Sequence, residues 1–259
     1  MKKMKNARVL QLTDLHLFKS DSDKMFGVTT NDHFFKVIER VKKNLTPLPD
    51  MILLTGDLSQ DGTAASYDII ANTIDPLGIP AYFIPGNHDN FDTMRTVFEK
   101  TNNIRYVDYT DLLTWRFIFL NTQKIGATPG LLAEGELKKL KQCLNAPSSA
   151  AKHIVIVMHH HPMKVGTPHM DQYILKNNAA FFKILAPFNN VKLILTGHVH
   201  NHYSLMHGNI AIMSAPATSV QLKKGAVSVQ PVDEIGYSLF TFNTDDYAMD
   251  VCQWNSDAI

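Results

Sequence analysis

The feature that most constrains this chain is a repeated order of apolar run, polar loop and helix between residues 8 and 89. Met51 to Thr55 is a continuous apolar run, the pattern of a strand buried on both faces. Similar runs cover residues 8–13 and 81–85, and amphipathic helices are predicted at residues 31–45 and 64–74. Strands separated by helices pair in parallel and bury their faces under those helices. The pattern therefore predicts a layered α/β domain.

The rest of the chain continues the pattern and then changes to shorter strands. Residues 153–158 and 191–196 are predicted buried strands, each preceded by a predicted helix, at 134–144 and 179–185. Residues 104–107 and 115–120 are predicted to form an antiparallel pair joined by a turn at Thr110-Asp111. Short strands are predicted from about residue 203 to 255. Since no repeat or composition shift marks a linker, we predict one domain over residues 1–259, with these last strands in the same sandwich.

Composition excludes several classes of protein. With 45% hydrophobic and 19% charged residues and a net charge of +1, the chain is typical of an ordinary globular protein without a nucleic-acid footprint. Its apolar runs are shorter than the roughly 20 residues of a membrane-spanning helix. Lysines at Lys2, Lys3 and Lys5 precede an apolar stretch too short for a secretion signal. Cys143 and Cys252 show no metal-ligand spacing. These observations predict a cytoplasmic protein that acts on neither nucleic acid nor membrane.

The distribution of histidines is unusual. The chain has 12 histidines, and many fall in short clusters beside Asp, Gly or Asn, directly after predicted strands. The clustered residues are His16, His88, His159, His160, His161, His198 and His200. Because the carboxyl ends of neighbouring strands meet at one sheet edge, these side chains are expected to converge there. This distribution indicates a metal site.

The same strand ends carry carboxylate and amide groups. The candidate ligands are Asp14, His16, Asp57, Asn87, His159, His198 and His200. Where one residue separates two ligands, as in Asp14-Leu15-His16, an extended backbone would direct both side chains to the same side. Neighbouring glycines, Gly56, Gly86 and Gly197, would allow the chain to turn tightly beside a metal.

Two ions fit this set of ligands better than one. A single transition metal takes about four to six ligands, fewer than the candidates available. A shared carboxylate, most simply Asp57, would hold two ions about 3.5–4 Å apart. Such a pair lowers the pKa of a water between the ions and neutralises charge on a phosphoryl group. Mixed His, Asp and Asn ligation favours iron or manganese, with zinc or cobalt as alternatives, over calcium or magnesium.

These motifs, in this order, resemble the signature of the calcineurin-like metallophosphoesterases over residues 8–202. Three further segments resemble the class III cyclic nucleotide phosphodiesterases of bacteria: Met158 to Pro162, Met170 to Gln172 with Lys176-Asn177, and Pro216 to Gln221. The resemblance implies a four-layer α/β/β/α sandwich. In such a fold two mixed sheets are flanked by helices, and a dinuclear metal site lies at the strand ends.

The resemblance also implies roles for the candidate ligands. The first metal would be bound by Asp14, His16, Asp57 and His200, and the second by the bridging Asp57 with Asn87, His159 and His198. In the triple histidine, His160 or His161 remains an alternative to His159.

Other residues are expected to act on the substrate. By the same resemblance, His88 would not bind metal but would donate to the scissile phosphate or protonate the leaving alkoxide, and Asp89 would orient His88 or its loop. We list His88 and Asp89 as catalytic candidates. The expected substrate contacts are Asn87, His88, His200 and Asp171, with a solvated loop as the alternative for Asp171.

The leading hypothesis is a dinuclear phosphodiesterase that hydrolyses 3′,5′-cyclic nucleotides, cyclic AMP above others, to nucleoside monophosphates. A metal-bridging hydroxide would attack the phosphorus. One alternative is hydrolysis of glycerophosphodiesters or other small phosphodiesters. A non-enzyme alternative is a metal- or nucleotide-binding regulatory protein, which has little use for a nucleophile-generating metal pair. Both a monomer and a homodimer are compatible with the sequence.

Overall fold

The computed structural model of the protein describes residues 6–258. It contains two six-stranded sheets, a two-stranded ribbon and helices on the outer faces. The predicted α/β/β/α sandwich with two mixed sheets is confirmed. Lys2, Lys3 and Lys5 lie outside the described residues. Within residues 6–258 no helix combines the length and the apolar character needed to cross a bilayer.

The regular elements account for most of the predicted ones. The helices are α1 (Thr30–Asn44), α2 (Ala64–Ile74), α3 (Phe91–Phe98), α4 (Glu134–Asn145) and α5 (Asn178–Leu185). The strands are β1 (Ala7–Leu12), β2 (Met51–Thr55), β3 (Ala81–Ile84), β4 (Ile104–Arg105), β5 (Tyr109–Leu112), β6 (Trp115–Leu120), β7 (His153–Met158), β8 (Val191–Thr196), β9 (Tyr203–His207), β10 (Ile210–Ser214), β11 (Gln221–Leu222), β12 (Pro231–Val232), β13 (Glu234–Phe242) and β14 (Tyr247–Asn255).

Each large sheet has a parallel centre and antiparallel edges. The first sheet has the order β14-β13-β1-β2-β3-β4, in which β1 to β4 are parallel and β13 runs antiparallel to β1. The second has the order β5-β6-β7-β8-β10-β9, with β5 and β9 antiparallel to their neighbours. The long C-terminal strands thus extend the first sheet. Parallel centres place the carboxyl ends of β1, β2 and β3, and those of β7 and β8, at one edge of their sheets.

Three clusters of buried apolar side chains hold the two sheets and the two layers of helices together. Helices α1, α2 and α3 cover the first sheet through buried side chains such as Phe34, Tyr67 and Phe98. Helices α4 and α5 cover the second sheet. The middle layer, between the sheets, includes Trp115 and Phe240, both essentially inaccessible to solvent. Burial of side chains of this size stabilises the fold by about 1.5–3 kcal/mol each, so the middle layer fixes how the two sheet edges meet.

One predicted pairing is wrong. Residues 104–107 do not pair with residues 115–120, because β4 joins β3 in parallel in the first sheet. The partner of β6 is β5, which contains the predicted turn residues Thr110 and Asp111. The hairpin turn instead follows Leu112, and Leu113 has a positive φ of 55° there. The chain crosses from one sheet to the other between β4 and β5.

Helix α3 had no counterpart among the predicted elements. Asn90 caps it by accepting a hydrogen bond from the Thr93 backbone N–H at 3.1 Å. An Asn cap followed by Asp92 in the first turn is a usable signal for a helix start. The apolar residues Met94, Val97 and Phe98 lie on its buried face, so the helix was detectable from periodicity as well.

Candidate metal centre

All the predicted ligands lie where the two sheets meet. Asp14 and His16 follow β1, Asp57 follows β2, and Asn87 follows β3 in the first sheet. His159 follows β7, and His198 and His200 follow β8, in the second sheet. The ligand atoms of the Asp14–His16–His200 group lie within 4.8 Å of one another, as do those of the Asp14–Asp57–His159 group. The structure therefore brings the candidates from both sheets into one cluster.

The prediction that the backbone of the ligand pairs is extended is wrong. The backbone at Asp14 and His16 is not extended but left-handed, with φ of 51° and 48°. Three other candidate ligands share this conformation, namely Asp57, His198 and His200. Non-glycine residues seldom have positive φ, and outliers of this kind gather at functional sites. The ligands reach the cluster because the chain coils tightly after each strand.

Hydrogen bonds between the sheets fix the ligands. The backbone N–H of His198 in the second sheet donates to both carboxylate oxygens of Asp14, at 3.1 and 3.0 Å. The Thr13 hydroxyl donates to Asp14 Oδ2 at 2.8 Å. In the other direction, His159 Nδ1 contacts the Thr55 carbonyl oxygen at 2.8 Å. Each sheet thus orients a ligand carried by the other.

Gly86 leaves space that the cluster needs. A Cβ atom on Gly86 would overlap the Asp57 carboxylate and the Asp57 backbone nitrogen. Gly86 N also donates to Asp89 Oδ2 at 2.8 Å. The close approach of β2 and β3 at their ends therefore requires glycine here, because there is no space for a side chain.

The tautomers of His16 and His200 leave two lone pairs facing each other. His16 Nδ1–H donates to Gln60 Oε1 at 2.6 Å, and His200 Nδ1–H donates to the Val220 carbonyl at 2.8 Å. Their Nε2 atoms are then unprotonated and lie 3.0 Å apart. Burial also holds the pKa of His16 well below its usual range. Two nitrogen lone pairs in this arrangement repel unless a cation lies between them, which fits a metal ion.

Asp57 and His159 also form a pair that attracts a cation. Asp57 Oδ2 lies 3.3 Å from His159 Nε2, and both side chains are buried. Burial lowers the pKa of His159, but the Asp57 carboxylate outweighs it and raises that pKa to about 9. The His159 imidazole thus keeps its proton at neutral pH, and its positive charge balances the Asp57 carboxylate. A proton then takes the position that a metal ion would take, and Asp57 contributes the anionic ligand.

Eight buried side-chain atoms have no hydrogen-bond partner among the described residues, and three of the eight belong to candidate ligands. These three are Asn87 Oδ1, His159 Nε2 and His198 Nε2. Buried polar atoms without partners are rare, because the lost hydration costs about 1–3 kcal/mol each. All three belong to the ligand set expected for a second ion. The donor chemistry of the cluster therefore fits two transition-metal ions.

The triple histidine divides into three environments. His160 uses both ring nitrogens, since Nδ1 contacts the Thr122 hydroxyl at 2.7 Å and Nε2 contacts the Thr128 carbonyl at 3.0 Å. His161 stacks on His198, with ring centroids 5.6 Å apart. His159 alone of the three has one nitrogen held by a carbonyl and the other directed at Asp57. This geometry favours His159 as the ligand.

We expect His159→Ala to reduce the bound metal from two ions per chain to about one. We expect His160→Ala to keep both ions but to lower the free energy of unfolding by about 1–3 kcal/mol, because it leaves the buried Thr122 hydroxyl without that partner. Elemental analysis of the purified variants and urea unfolding separate the two effects. Loss of an ion from His160→Ala alone would contradict the assignment.

His88 and Asp89 lie in different environments although they are adjacent. His88 is exposed, and its ring meets the edge of the His16 ring at a centroid distance of 4.9 Å. Asp89 is buried, and its carboxylate accepts hydrogen bonds from the backbone of Leu58, Ser59 and Gly86. No described hydrogen bond joins Asp89 to His88. Asp89 thus positions the loops after β2 and β3, whereas His88 is free to contact a substrate.

A cavity of about 280 Å³ opens over the cluster. His88, Asn87 and His200 line it. Asp171 does not, because its Oδ1 accepts a hydrogen bond from Val165 N at 2.7 Å and holds its own loop. The expected substrate contact through Asp171 therefore has no support in the structure. Asp171 lies in a 3₁₀ turn, Met170–Gln172, and the first residue of this turn does line the cavity. Tyr173, directly after the turn, lines it as well.

Several residues of the cavity escaped the sequence analysis. They are Met25, Phe26, Gln60, Thr128, His169, Leu222 and Val229. Most lie on loops or at strand ends, where no periodic pattern points to a function. The sequence gives a weak indication of a role for Gln60, because it lies three residues after Asp57 and its side chain can orient a neighbouring ligand.

Comparison with known proteins agrees with this fold and site. The family model of the calcineurin-like phosphoesterases matches residues 7–202. The chain belongs to this family. It is 39% identical to the 3′,5′-cyclic adenosine monophosphate phosphodiesterase CpdA of Vibrio vulnificus, over 83% of this chain and 78% of that protein. It is 30% identical to a 3′,5′-cyclic-nucleotide phosphodiesterase of Nostoc, over 92% of this chain and 88% of that protein.

A solved structure shows the same fold. A dimetal phosphatase from Danio rerio superposes with a TM-score of 0.67, covering 95% of this chain and 96% of that one. Its sequence identity is 10%, so the likeness concerns architecture alone. The sandwich described above is therefore a fold that this solved structure shares.

Proposed function

We propose that this protein is a metal-dependent phosphodiesterase that hydrolyses 3′,5′-cyclic nucleotides, cyclic AMP above others, to nucleoside monophosphates. The observation that carries the proposal is the cluster of buried imidazole nitrogens and carboxylates under an open cavity. Relatives at 39% and 30% identity named for cyclic nucleotide hydrolysis supply the substrate class.

The proposed ligand roles are those that the family resemblance implies. We assign Asp14, His16, Asp57 and His200 to one ion, and Asp57, Asn87, His159 and His198 to the other. When bound, the ions supply charge neutralisation at the phosphoryl group and a water of lowered pKa. Iron and manganese suit this mixed nitrogen and oxygen set best, with zinc or cobalt as alternatives.

The chain's own groups would handle the substrate around the ions. Asn87 and His200 border the cavity, where they can contact the phosphate. His88, whose exposed ring lies beside that of His16, would donate a proton to the departing ribose oxygen. The backbone N–H of His88 donates to Asp57 Oδ1 at 2.8 Å, which fixes the start of its loop against the metal ligand.

We further propose that residues 1–259 act as one domain in the cytoplasm on a small-molecule substrate. The net charge of +1 gives no basic surface for nucleic acid. The strands β13 and β14 support the single domain, because β13 pairs with β1 along most of its length. The molecular mass in solution, measured by light scattering, decides between a monomer and a homodimer.

We expect the protein reconstituted with manganese or iron to turn over cyclic AMP faster than glycerophosphodiesters or aryl phosphodiesters. His88→Ala should lower kcat for cyclic AMP by about 10²-fold or more, because general acid catalysis contributes about 10²–10⁴-fold. KM and metal content should change little, since the exposed His88 ring is assigned no metal.

His207→Ala is the matched control, because His207 is also exposed and is not among the residues that line the cavity. Its kcat should equal that of the wild type. Faster turnover of glycerophosphodiesters than of any cyclic nucleotide would replace the proposed substrate class. Full activity of His88→Ala on every phosphodiester would remove its proposed role.

A further inference from the structure

The residues that line the cavity divide into a polar set, here called the floor, and an apolar set, here called the rim. The floor consists of candidate metal ligands with Gln60 and His88. The rim is formed by segments that the metal chemistry does not use, and its apolar side chains are Met25, Phe26, Met170, Leu222 and Val229. We propose that Phe26 stacks on the nucleobase of the substrate and thereby selects nucleotides over phosphodiesters that lack a base. This inference rests on the proposed function.

The backbone holds Phe26 in an unusual conformation. Phe26 has φ of 52° and Gly27 has φ of 87°, and Met25 and Val28 exchange backbone hydrogen bonds of 3.0 and 3.1 Å on either side. Two successive left-handed residues form the turn type that strongly prefers Asn, Asp or Gly. A bulky aromatic residue there is a strained outlier, and such outliers gather at ligand-binding positions.

The ring of Phe26 has a free face. Phe26 is 49% exposed, and among residues 6–258 its ring forms no pair with another aromatic ring. Tyr173, the other large aromatic residue of the wall, meets the rings of His169 and His198 edge-on at 5.6 and 6.4 Å. An exposed aromatic ring beside a cavity is available for a planar ligand.

The arrangement matches the two ends of a nucleotide. The phosphate needs the polar floor, where the cation-binding groups lie, and the base needs an apolar surface with a π face. Stacking of a base on an aromatic side chain contributes to binding regardless of base sequence. A phosphodiester without a base engages the floor but gains nothing from Phe26.

The test compares Phe26→Ala with the wild type on cyclic AMP. We expect KM to rise about tenfold, a loss of about 1.4 kcal/mol of binding, with kcat within about twofold of the wild type. Phe26→Tyr, which keeps the ring, should restore KM. Phe35→Ala is the matched control, because Phe35 is 40% exposed on α1 and is not among the residues that line the cavity.

Calorimetry gives a second readout that does not depend on turnover. Titration of the metal-loaded protein with adenosine 5′-monophosphate and with ribose 5-phosphate compares ligands with and without a base. Phe26→Ala should raise the dissociation constant of the nucleotide about tenfold and leave that of ribose 5-phosphate unchanged. Phe26→Gly, which suits the positive φ, provides the same comparison without backbone strain.

Two results separate the inference from the proposed function. If the wild type hydrolyses cyclic nucleotides but Phe26→Ala and Phe26→Gly bind adenosine 5′-monophosphate as tightly as the wild type, the role of Phe26 is wrong. Equal weakening of both ligands would also overturn it, because it would place Phe26 at the phosphate. If the wild type hydrolyses no cyclic nucleotide, the proposed function itself fails.

Discussion

Asp57→Asn is expected to lower kcat/KM for cyclic AMP by about 10³-fold or more. Asp57 Oδ2 lies 3.7 Å from His16 Nε2 and 3.3 Å from His159 Nε2, so this oxygen borders ligands from both proposed ion sites. The substitution preserves the shape of the side chain and removes its charge. Because the charge attracts both cations, its loss should weaken the binding of both ions. The charge neutralisation that they bring to the phosphoryl group would be lost with them.

Metal stoichiometry by elemental analysis and steady-state kinetics measure the two consequences together. Asp171→Asn is the matched control, since it makes the same chemical change at a carboxylate outside the cavity wall. It should retain both ions and full kcat. A variant Asp57→Asn that held two ions with high affinity would show that another group bridges them.

Asp89→Ala is expected to lower the free energy of unfolding by about 3–5 kcal/mol. The Asp89 carboxylate is buried and accepts hydrogen bonds from the backbone of Leu58, Ser59 and Gly86 and from the Tyr67 hydroxyl. Alanine leaves all these donors without that partner. Such a loss is a large share of the total stability of a typical domain, about 5–15 kcal/mol.

Urea unfolding in the presence of a chelator measures this loss without a contribution from bound metal. Asp89→Asn keeps an acceptor oxygen and should cost less than Asp89→Ala. Burial, and then the charge of Asp57, raise the pKa of Asp89 to about 6. The negative charge of Asp89 is therefore unfavourable in the folded protein, and its removal offsets part of the loss in stability. If Asp89→Ala unfolded within 1 kcal/mol of the wild type, the carboxylate would not be what holds the loops together.

The sequence predicts the centre of this protein better than its periphery. Runs such as Met51–Thr55 are apolar throughout because both faces of the strand are buried, and the polar residue after each run marks where the strand leaves the core. Strand ends in parallel sheets meet, so the residues that follow them meet as well. Local pattern and topology therefore agree at Asp14, Asp57 and His198.

The pairing of β4 and β5 could not be obtained in this way. A strand of two residues such as Ile104–Arg105 carries no period, and its partner is chosen by contacts far away in the sequence. The choice within the triple histidine was open for a similar reason. The partners that separate His159 from His160 are the backbone of Thr55 and Thr128, whose proximity depends on the complete fold.

The loops of the cavity wall were the least predictable part. Phe26 lies in a polar segment whose turn residues would usually be Asn, Asp or Gly. Nothing in the sequence shows that the turn ends beside His16, or that Leu222 and Val229 approach from near the other end of the chain. Chemistry shared by a family is read from strand ends, whereas selectivity depends on how loops happen to meet.

The left-handed conformation of five candidate ligands, among them Asp14, Asp57 and His200, bears on how long the protein survives in a cell. Each such residue costs about 1–2 kcal/mol, and bound ions compensate for that cost. We expect the edge of the sandwich to open first when ions are scarce, and opened segments are where proteases cut. We therefore expect ion depletion to lower the abundance of the protein as well as its activity.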